Sequence, residues 1–177
     1  MRPSTTVTIH NAVSPLEIAA FGGLISEYTA WCRERYKNDP WLVEMAFGHQ
    51  GLDAELLNLA ELYGPPNGRM LMAEDAYEVL GGVAYKRVDA RTCEMKRMFV
   101  RTTANGRGLG RMLCQAVMTT AAQDGYKVMR LDTSREMVEA IGLYKAFGFK
   151  EGAPFITYPE RMRPMMIFME RALDPPA

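Results

Sequence analysis

Residues 100–125, V-R-T-T-A-N-G-R-G-L-G-R-M-L-C-Q-A-V-M-T-T-A-A-Q-D-G, constrain the fold of this chain more than any other stretch. They read as a strand end, a turn rich in glycine and arginine, and an amphipathic helix. That helix carries Leu109, Met112, Leu113, Ala116, Val117 and Thr120 on one face and ends at Gly125 as its C-cap. The turn has a chemical consequence as well. The first amides of a helix lack intrahelical partners, and the helix dipole favours negative charge beside them. Gly106, Gly108 and Gly110 permit positive φ and close approach to the backbone, while Arg107 and Arg111 add forked, permanently charged donors. The segment reads as a diphosphate cradle.

Two familiar cradles fit it poorly. A Walker A loop needs Gly-Lys-Ser/Thr, and no lysine follows any of these glycines. A dinucleotide fingerprint G-x-G-x-x-G requires glycine where Arg111 stands if it starts at Gly106, or at Leu113 if it starts at Gly108. Asp132, at the end of the next strand, does stand near where a ribose-binding acid is expected. An ordinary strand-to-helix turn with no ligand remains the plain alternative.

The segment resembles the coenzyme A pyrophosphate loop of the GNAT acyltransferase superfamily, whose pattern is Gln/Arg-x-x-Gly-x-Gly/Ala. Asn105, Gly106, Arg107, Gly108, Leu109 and Gly110 fill that pattern, with Asn in place of the usual first residue. The resemblance extends to C-E-M-K-R-M-F-V-R before the loop, K-V-M-R-L-D-T after the helix, and A-I-G-L-Y-K-A-F-G-F at residues 140–149. These pieces stand in the family's order and spacing from about Cys93 to Glu151.

Size and composition agree with one ordinary globular domain, here expected over residues 5–172 of 177. Apolar residues make up 48% and charged residues 24%, which argues against disorder. The formal net charge is zero, so general attraction to nucleic acid or to an anionic membrane has no support. No apolar run approaches the roughly 20 residues that span a bilayer. The first residues, Met1 to Thr6, lack a signal-peptide core. Cys32, Cys93 and Cys114 read as buried thiols of a cytoplasmic protein. Two histidines without a Cys or His cluster leave no metal site to expect.

Along the chain, residues 7–11 alternate as a strand. Ser14-Pro15-Leu16-Glu17 has the form of a capping box that opens a helix ending near Tyr36. Residues 41–51 show no clear period and read as a loop or helical turn. Leu52, Leu56, Leu59, Ala60 and Tyr63 line another helix, stopped by Gly64-Pro65-Pro66. Strands follow at 69–74 and 78–87, the second holding Gly81-Gly82, which suggests a bulge or a close backbone approach. Further strands are expected at 93–101, 128–132, 149–151 and 165–171, with a loop at 154–164. Thr133 and Glu136 have the spacing of a second capping box, for a helix with Met137, Ala140, Ile141, Tyr144 and Phe147 inward. The order points to an α/β chain with helices on both faces of a mixed sheet. The resemblance adds that this sheet is mostly antiparallel and splayed in the middle.

The resemblance also implies roles. Acetyl-coenzyme A is the co-substrate, with no metal, held by Asn105 to Arg111 and by the backbone of Met98, Phe99 and Val100. Glu94 stands where several relatives carry a general base. By strand alternation it shares a face with Lys96, Met98 and Val100; pairing with Lys96, Arg97 or Arg87 is the alternative. Tyr144 is the proton donor to the departing thiolate, or else a core residue. Met137 replaces an asparagine that many relatives use. Arg101, Arg135 and Lys145 are candidate phosphate contacts, and Asp132 and Thr133 candidate acceptor-site residues. The acceptor is a small-molecule amine or a protein amino group, bounded by the first two helices and by residues 41–51 and 154–164. Asp39, Glu44, Asp53, Glu55 and Glu61 give that half a mild acidity suited to a cationic amine. The family allows a homodimer. The rival readings are a non-catalytic acyl-coenzyme A binding module and an NAD-dependent oxidoreductase.

Overall fold

The computed structural model describes residues 6–49 and 51–174; Met1 to Thr5, read above for a leader, lie outside the described residues. Seven strands form one sheet in the order β1-β2-β3-β4-β5-β7-β6. These are β1 (Thr8–Asn11), β2 (Gly68–Glu74), β3 (Val79–Arg87), β4 (Thr92–Val100), β5 (Val128–Ser134), β6 (Lys150–Glu151) and β7 (Met166–Ala172). Every pairing is antiparallel except that of β4 with β5. That one parallel pair needs a crossover, and helix α5 (Leu109–Gln123) supplies it. A doubly wound parallel sheet, which the dinucleotide reading requires, is absent among the described residues.

The helices cover both faces. On one, Leu113, Val117 and Ala121 of α5 pack on Val83, Tyr85, Cys93, Met95 and Met129. On the other, Phe21, Leu24 and Ile25 of α1 (Pro15–Arg35) pack on Met70, Met72 and Ala84. Each such buried side chain contributes roughly 1.5–3 kcal/mol. The Ser14–Glu17 capping box that opens α1 forms as expected. Beyond β5, α6 (Val138–Ala146) carries Tyr144 inward.

Three expectations need correction. Residues 41–51 are mostly helix, α2 (Pro40–His49), because Leu42, Val43 and Phe47 are buried while Trp41, Met45 and Ala46 are partly so. A helix apolar on most sides shows no amphipathic stripe. The helix expected from Leu52 to Tyr63 is two, α3 (Leu52–Leu57) and α4 (Leu59–Tyr63), broken at Asn58, whose side chain donates to the Ala54 carbonyl. The second capping box does not form. Thr133 is still in β5, paired with Ile167, and Met137 precedes α6 with no side-chain cap.

Two features of β4 shape the functional centre. It pairs with β5 only at Thr92, Cys93 and Glu94, after which the strands diverge, giving the splay. It also carries one extra residue relative to β3. Lys96 lies opposite Ala84, yet Phe99 lies opposite Gly82, and Arg97 takes φ +56°. The extra residue reverses the alternation. Met98 and Val100 pack toward α5, whereas Glu94, Lys96 and Arg97 lie on the other face. The expected common face for Glu94, Lys96, Met98 and Val100 is therefore wrong.

Candidate active site

The turn before α5 is open. A short 3-10 turn (Thr102–Ala104) leads to Gly106 at φ +79° and Gly108 at φ +73°, and a Cβ at either would meet nothing within 4 Å. Gly108 is the N-cap residue, no side chain caps the helix, and the first helical bond runs from the Met112 N–H to the Gly108 carbonyl. The amides of Leu109, Gly110 and Arg111 thus fall in the first turn, where helix geometry gives them no partner. Gly110 also lets α6 approach, since a Cβ there would lie 3.5 Å from Leu143.

The cations expected near phosphates have protein partners. Arg107 Nη1 lies 3.3 Å from Asp75, and Arg111 stacks over Phe147 at 5.1 Å. Arg101 makes a forked pair with Glu27, at 2.6 and 2.8 Å. Arg135 and Lys145 share Glu151, at 4.0 and 3.8 Å.

From this turn a groove of about 540 Å³ runs along the splay. Met98, Phe99 and Val100 form one bank, Ala140, Leu143 and Tyr144 the other, and Asn105 and Gly110 lie at its head. The Arg101 N–H donates to the Leu80 carbonyl on β3. By strand alternation the amide of Val100 faces the opposite edge, which β5 has left. A backbone donor therefore points into the groove.

At Tyr28, Met98, Met137 and Tyr144 the groove meets a second cavity, of about 120 Å³, enclosed by α1, α2, β4 and β5. Tyr144 is buried, with its hydroxyl 3.8 Å from Met98 Sδ. Burial first, then the neighbouring Cys114 and Asp132, pushes its ionisation well above the usual tyrosine range. Tyr28 is raised as well, mainly by burial, and packs edge-on to Phe47 and at 5.5 Å from Phe99.

Two buried ionic arrays flank the cavity. In the first, Lys96 Nζ bridges Glu94, at 2.8 Å, and Asp132 Oδ1, at 2.9 Å. Glu94 also holds Arg130 at 3.1 Å, and Asp132 Oδ2 accepts from the Tyr158 hydroxyl at 2.5 Å. Burial alone would raise the Asp132 carboxyl, but the Lys96 charge and the Tyr158 hydroxyl outweigh it and hold it low. Lys96 and Asp132 line the cavity; Glu94 lies beyond them. In the second array Arg97 makes two hydrogen bonds to Glu55, at 2.8 and 2.5 Å, and the Tyr63 hydroxyl donates to the same carboxylate.

Of the acidic residues noted in the sequence, Glu55 is neutralised by Arg97 in the second array, while Glu44 and Asp39 stand in exposed pairs with Arg33 and Arg161. The Asp132 expected to hold a ribose is likewise taken by Lys96 and Tyr158. Sequence reasoning missed the Arg130 partner of Glu94 and the Arg97–Glu55–Tyr63 group. A signal existed: Glu94, Lys96 and Arg97 crowd one strand of a sheet covered on both faces, and charges there must be paired. Among the described residues no group of His, Cys, Asp and Glu is placed to hold a metal ion, and no helix is long and apolar enough to cross a membrane.

Known proteins resemble this chain in sequence and in fold. The Acetyltransferase (GNAT) family model matches residues 24–149. An uncharacterized N-acetyltransferase of Schizosaccharomyces pombe is 34% identical over 161 residues, covering 90% of this chain and 91% of that one. Among solved structures, an acetyltransferase from Streptococcus agalactiae matches with a TM-score of 0.73 at 18% identity, covering 94% of this chain and 98% of that chain. A GNAT family acetyltransferase from Elizabethkingia anophelis with acetyl-CoA bound matches with a TM-score of 0.58 at 18% identity, over 94% and 98% of the two chains. Both structural likenesses are of fold. With the family model spanning most of the chain and a full-length relative above 30% identity, the chain belongs to the GNAT acetyltransferase family.

Proposed function

We propose that residues 5–172 act as one domain that transfers the acetyl group of acetyl-coenzyme A to a primary amine by direct attack. One observation carries the reading: the open turn, through Asn105 and Gly110, and the unpaired edge at Val100 line the same groove, which meets a second cavity at Tyr144. Asn105, Gly106, Arg107, Gly108, Leu109, Gly110 and Arg111 would hold the diphosphate, through backbone amides and through Arg107 released from Asp75. Met98, Phe99 and Val100 would line the pantetheine arm, the Val100 amide stabilising the oxyanion. Such fixed donors are worth roughly 3–4 kcal/mol in other enzymes.

The acceptor nitrogen attacks the thioester carbon, the C–S bond breaks as the tetrahedral oxyanion collapses, and the thiolate forms against the Tyr144 hydroxyl. Burial keeps that hydroxyl protonated, so it stabilises the thiolate as a hydrogen-bond donor, and a proton it passes on is replaced through solvent by the one the acceptor ammonium gives up. The ammonium proton passes to solvent beside Asp132, whose two oxygens are already held by Lys96 and Tyr158. Glu94, behind Lys96, acts in this reading as a positioning residue that fixes Lys96 and, through it, Asp132. The cysteines favour direct attack over an acyl-enzyme. Burial pushes the Cys32 thiol up to about 11 and the Cys93 and Cys114 thiols up to about 12, so none is a ready nucleophile.

Initial rates of thiol release, measured over a grid of acetyl-coenzyme A and amine concentrations, test the mechanism. Intersecting double-reciprocal lines are expected; parallel lines contradict direct attack. Binding of acetyl-coenzyme A without turnover on any amine would favour a non-catalytic binding module.

A further inference from the structure

The second cavity restricts what the acceptor can be, given the acetyl-transfer reading above, on which this inference rests. Most of its wall is apolar, from Leu42, Val43 and Phe47 on α2 to Met95, Leu131 and Met166 on the strands. Every formal charge on the wall already has a counter-charge. Lys96 is held between Glu94 and Asp132, and Arg97 is matched by both oxygens of Glu55. No wall cation is left over for a carboxylate or phosphate on the acceptor. Asp132 is the wall carboxylate, and Lys96 and Tyr158 already hold it. A second ammonium would therefore be buried without a partner, which is costly.

One polar group on the wall is unsatisfied. The Tyr36 hydroxyl is buried beside Ser134 and Arg35, and neither completes a well-formed hydrogen bond to it. Arg35 is engaged elsewhere, with Glu139 and the Glu136 carbonyl. Tyr36 stands two helical turns beyond Tyr28, about 12 Å along α1 at 1.5 Å per residue. Tyr28 lines both the groove and the second cavity, whereas Tyr36 lines the second cavity alone. A buried hydroxyl without a partner is uncommon enough to imply a group that completes it.

We propose that the acceptor is a compact monoamine with an apolar body of a few carbons, no second charge, and one uncharged hydrogen-bonding group at its far end that meets Tyr36. The space of about 120 Å³ is several times what a single water needs and small for a ligand site.

The test compares 3-methoxypropylamine with its isostere pentylamine, and both with spermidine, leucine and a short peptide with a free amino terminus, by thiol release. Both monoamines should exceed the other three in kcat/KM by at least tenfold. Tyr36→Phe, which removes an unpaired hydroxyl and so leaves the fold intact, should lower the methoxypropylamine-to-pentylamine ratio about tenfold. Ala46→Trp should fill the cavity and raise KM for both monoamines, while acetyl-coenzyme A still raises the melting temperature. Preference for spermidine, leucine or the peptide overturns the proposal, as does a ratio that Tyr36→Phe leaves unmoved. If acetyl-coenzyme A stabilises the protein but no monoamine turns over, the acceptor class falls while coenzyme binding stands. If acetyl-coenzyme A neither stabilises the protein nor reacts, both fall.

Discussion

Replacing Glu55 with glutamine should cost this protein more stability than almost any other single-atom change. Glu55 and Arg97 are both buried, with side-chain exposures of 7% and 6%. Burial alone would raise the Glu55 carboxyl, but the two hydrogen bonds and the charge of Arg97 outweigh it and hold it below the usual carboxylate range. Glu55→Gln leaves a buried guanidinium without its counter-charge, a loss of roughly 3–5 kcal/mol in comparable pairs. For a chain of this size each kcal/mol moves the melting temperature by about 2–4 °C, so a fall of roughly 6–20 °C is expected at pH 7. Differential scanning fluorimetry across pH provides the assay. A carboxyl lowered on folding contributes stability that is fully present above its unfolded value and lost as pH falls through its folded value. The gap between wild type and Glu55→Gln should thus be widest at neutral pH and narrow in acid. Combining Arg97→Met with Glu55→Leu should recover much of the loss, because it removes both charges rather than one. A fall below about 3 °C, or a gap that does not change with pH, would refute the reasoning.

Two further outcomes follow from the groove. Gly81→Ala would set a Cβ 2.6 Å from the Phe99 carbonyl oxygen and 3.1 Å from Val100 Cα, forcing β4 to shift. It should cost about 1–3 kcal/mol and raise KM for acetyl-coenzyme A severalfold, seen in melting curves and initial rates. Tyr144→Phe loses only a long contact to Met98 Sδ, so its melting temperature should stay within about 2 °C of wild type. Its kcat should fall about a hundredfold if the hydroxyl serves the thiolate; an unchanged kcat leaves Tyr144 a core residue.

Much of this was legible in the sequence where local chemistry decides the outcome. The Gly106 to Gly110 turn and the Ser14 capping box depend on residues within a few positions of one another and formed as read, while the buried face of α5 keeps Leu109, Leu113 and Val117 but takes Cys114, Met118 and Ala121 and leaves Met112 exposed. The two glycines of β3 likewise marked a close approach, since Cβ atoms there would strike β4 and α1. What failed depends on long-range partners. The extra residue at Arg97 makes sense only with Glu55 beneath it, 42 positions away, and it reverses the side-chain alternation that Glu94 was read against. The Lys96–Asp132 pair spans 36 positions. Helix α2 escaped notice because burial on several sides erases the periodic signal.

The account turns on whether the first-turn amides of α5 hold the coenzyme diphosphate beside an unpaired β4 edge. Amide NMR of the isotope-labelled protein, titrated with acetyl-coenzyme A, measures this directly. The resonances of Leu109, Gly110, Arg111 and Val100 should move downfield together and gain protection from exchange. Saturable binding that leaves those four amides unmoved would contradict the account.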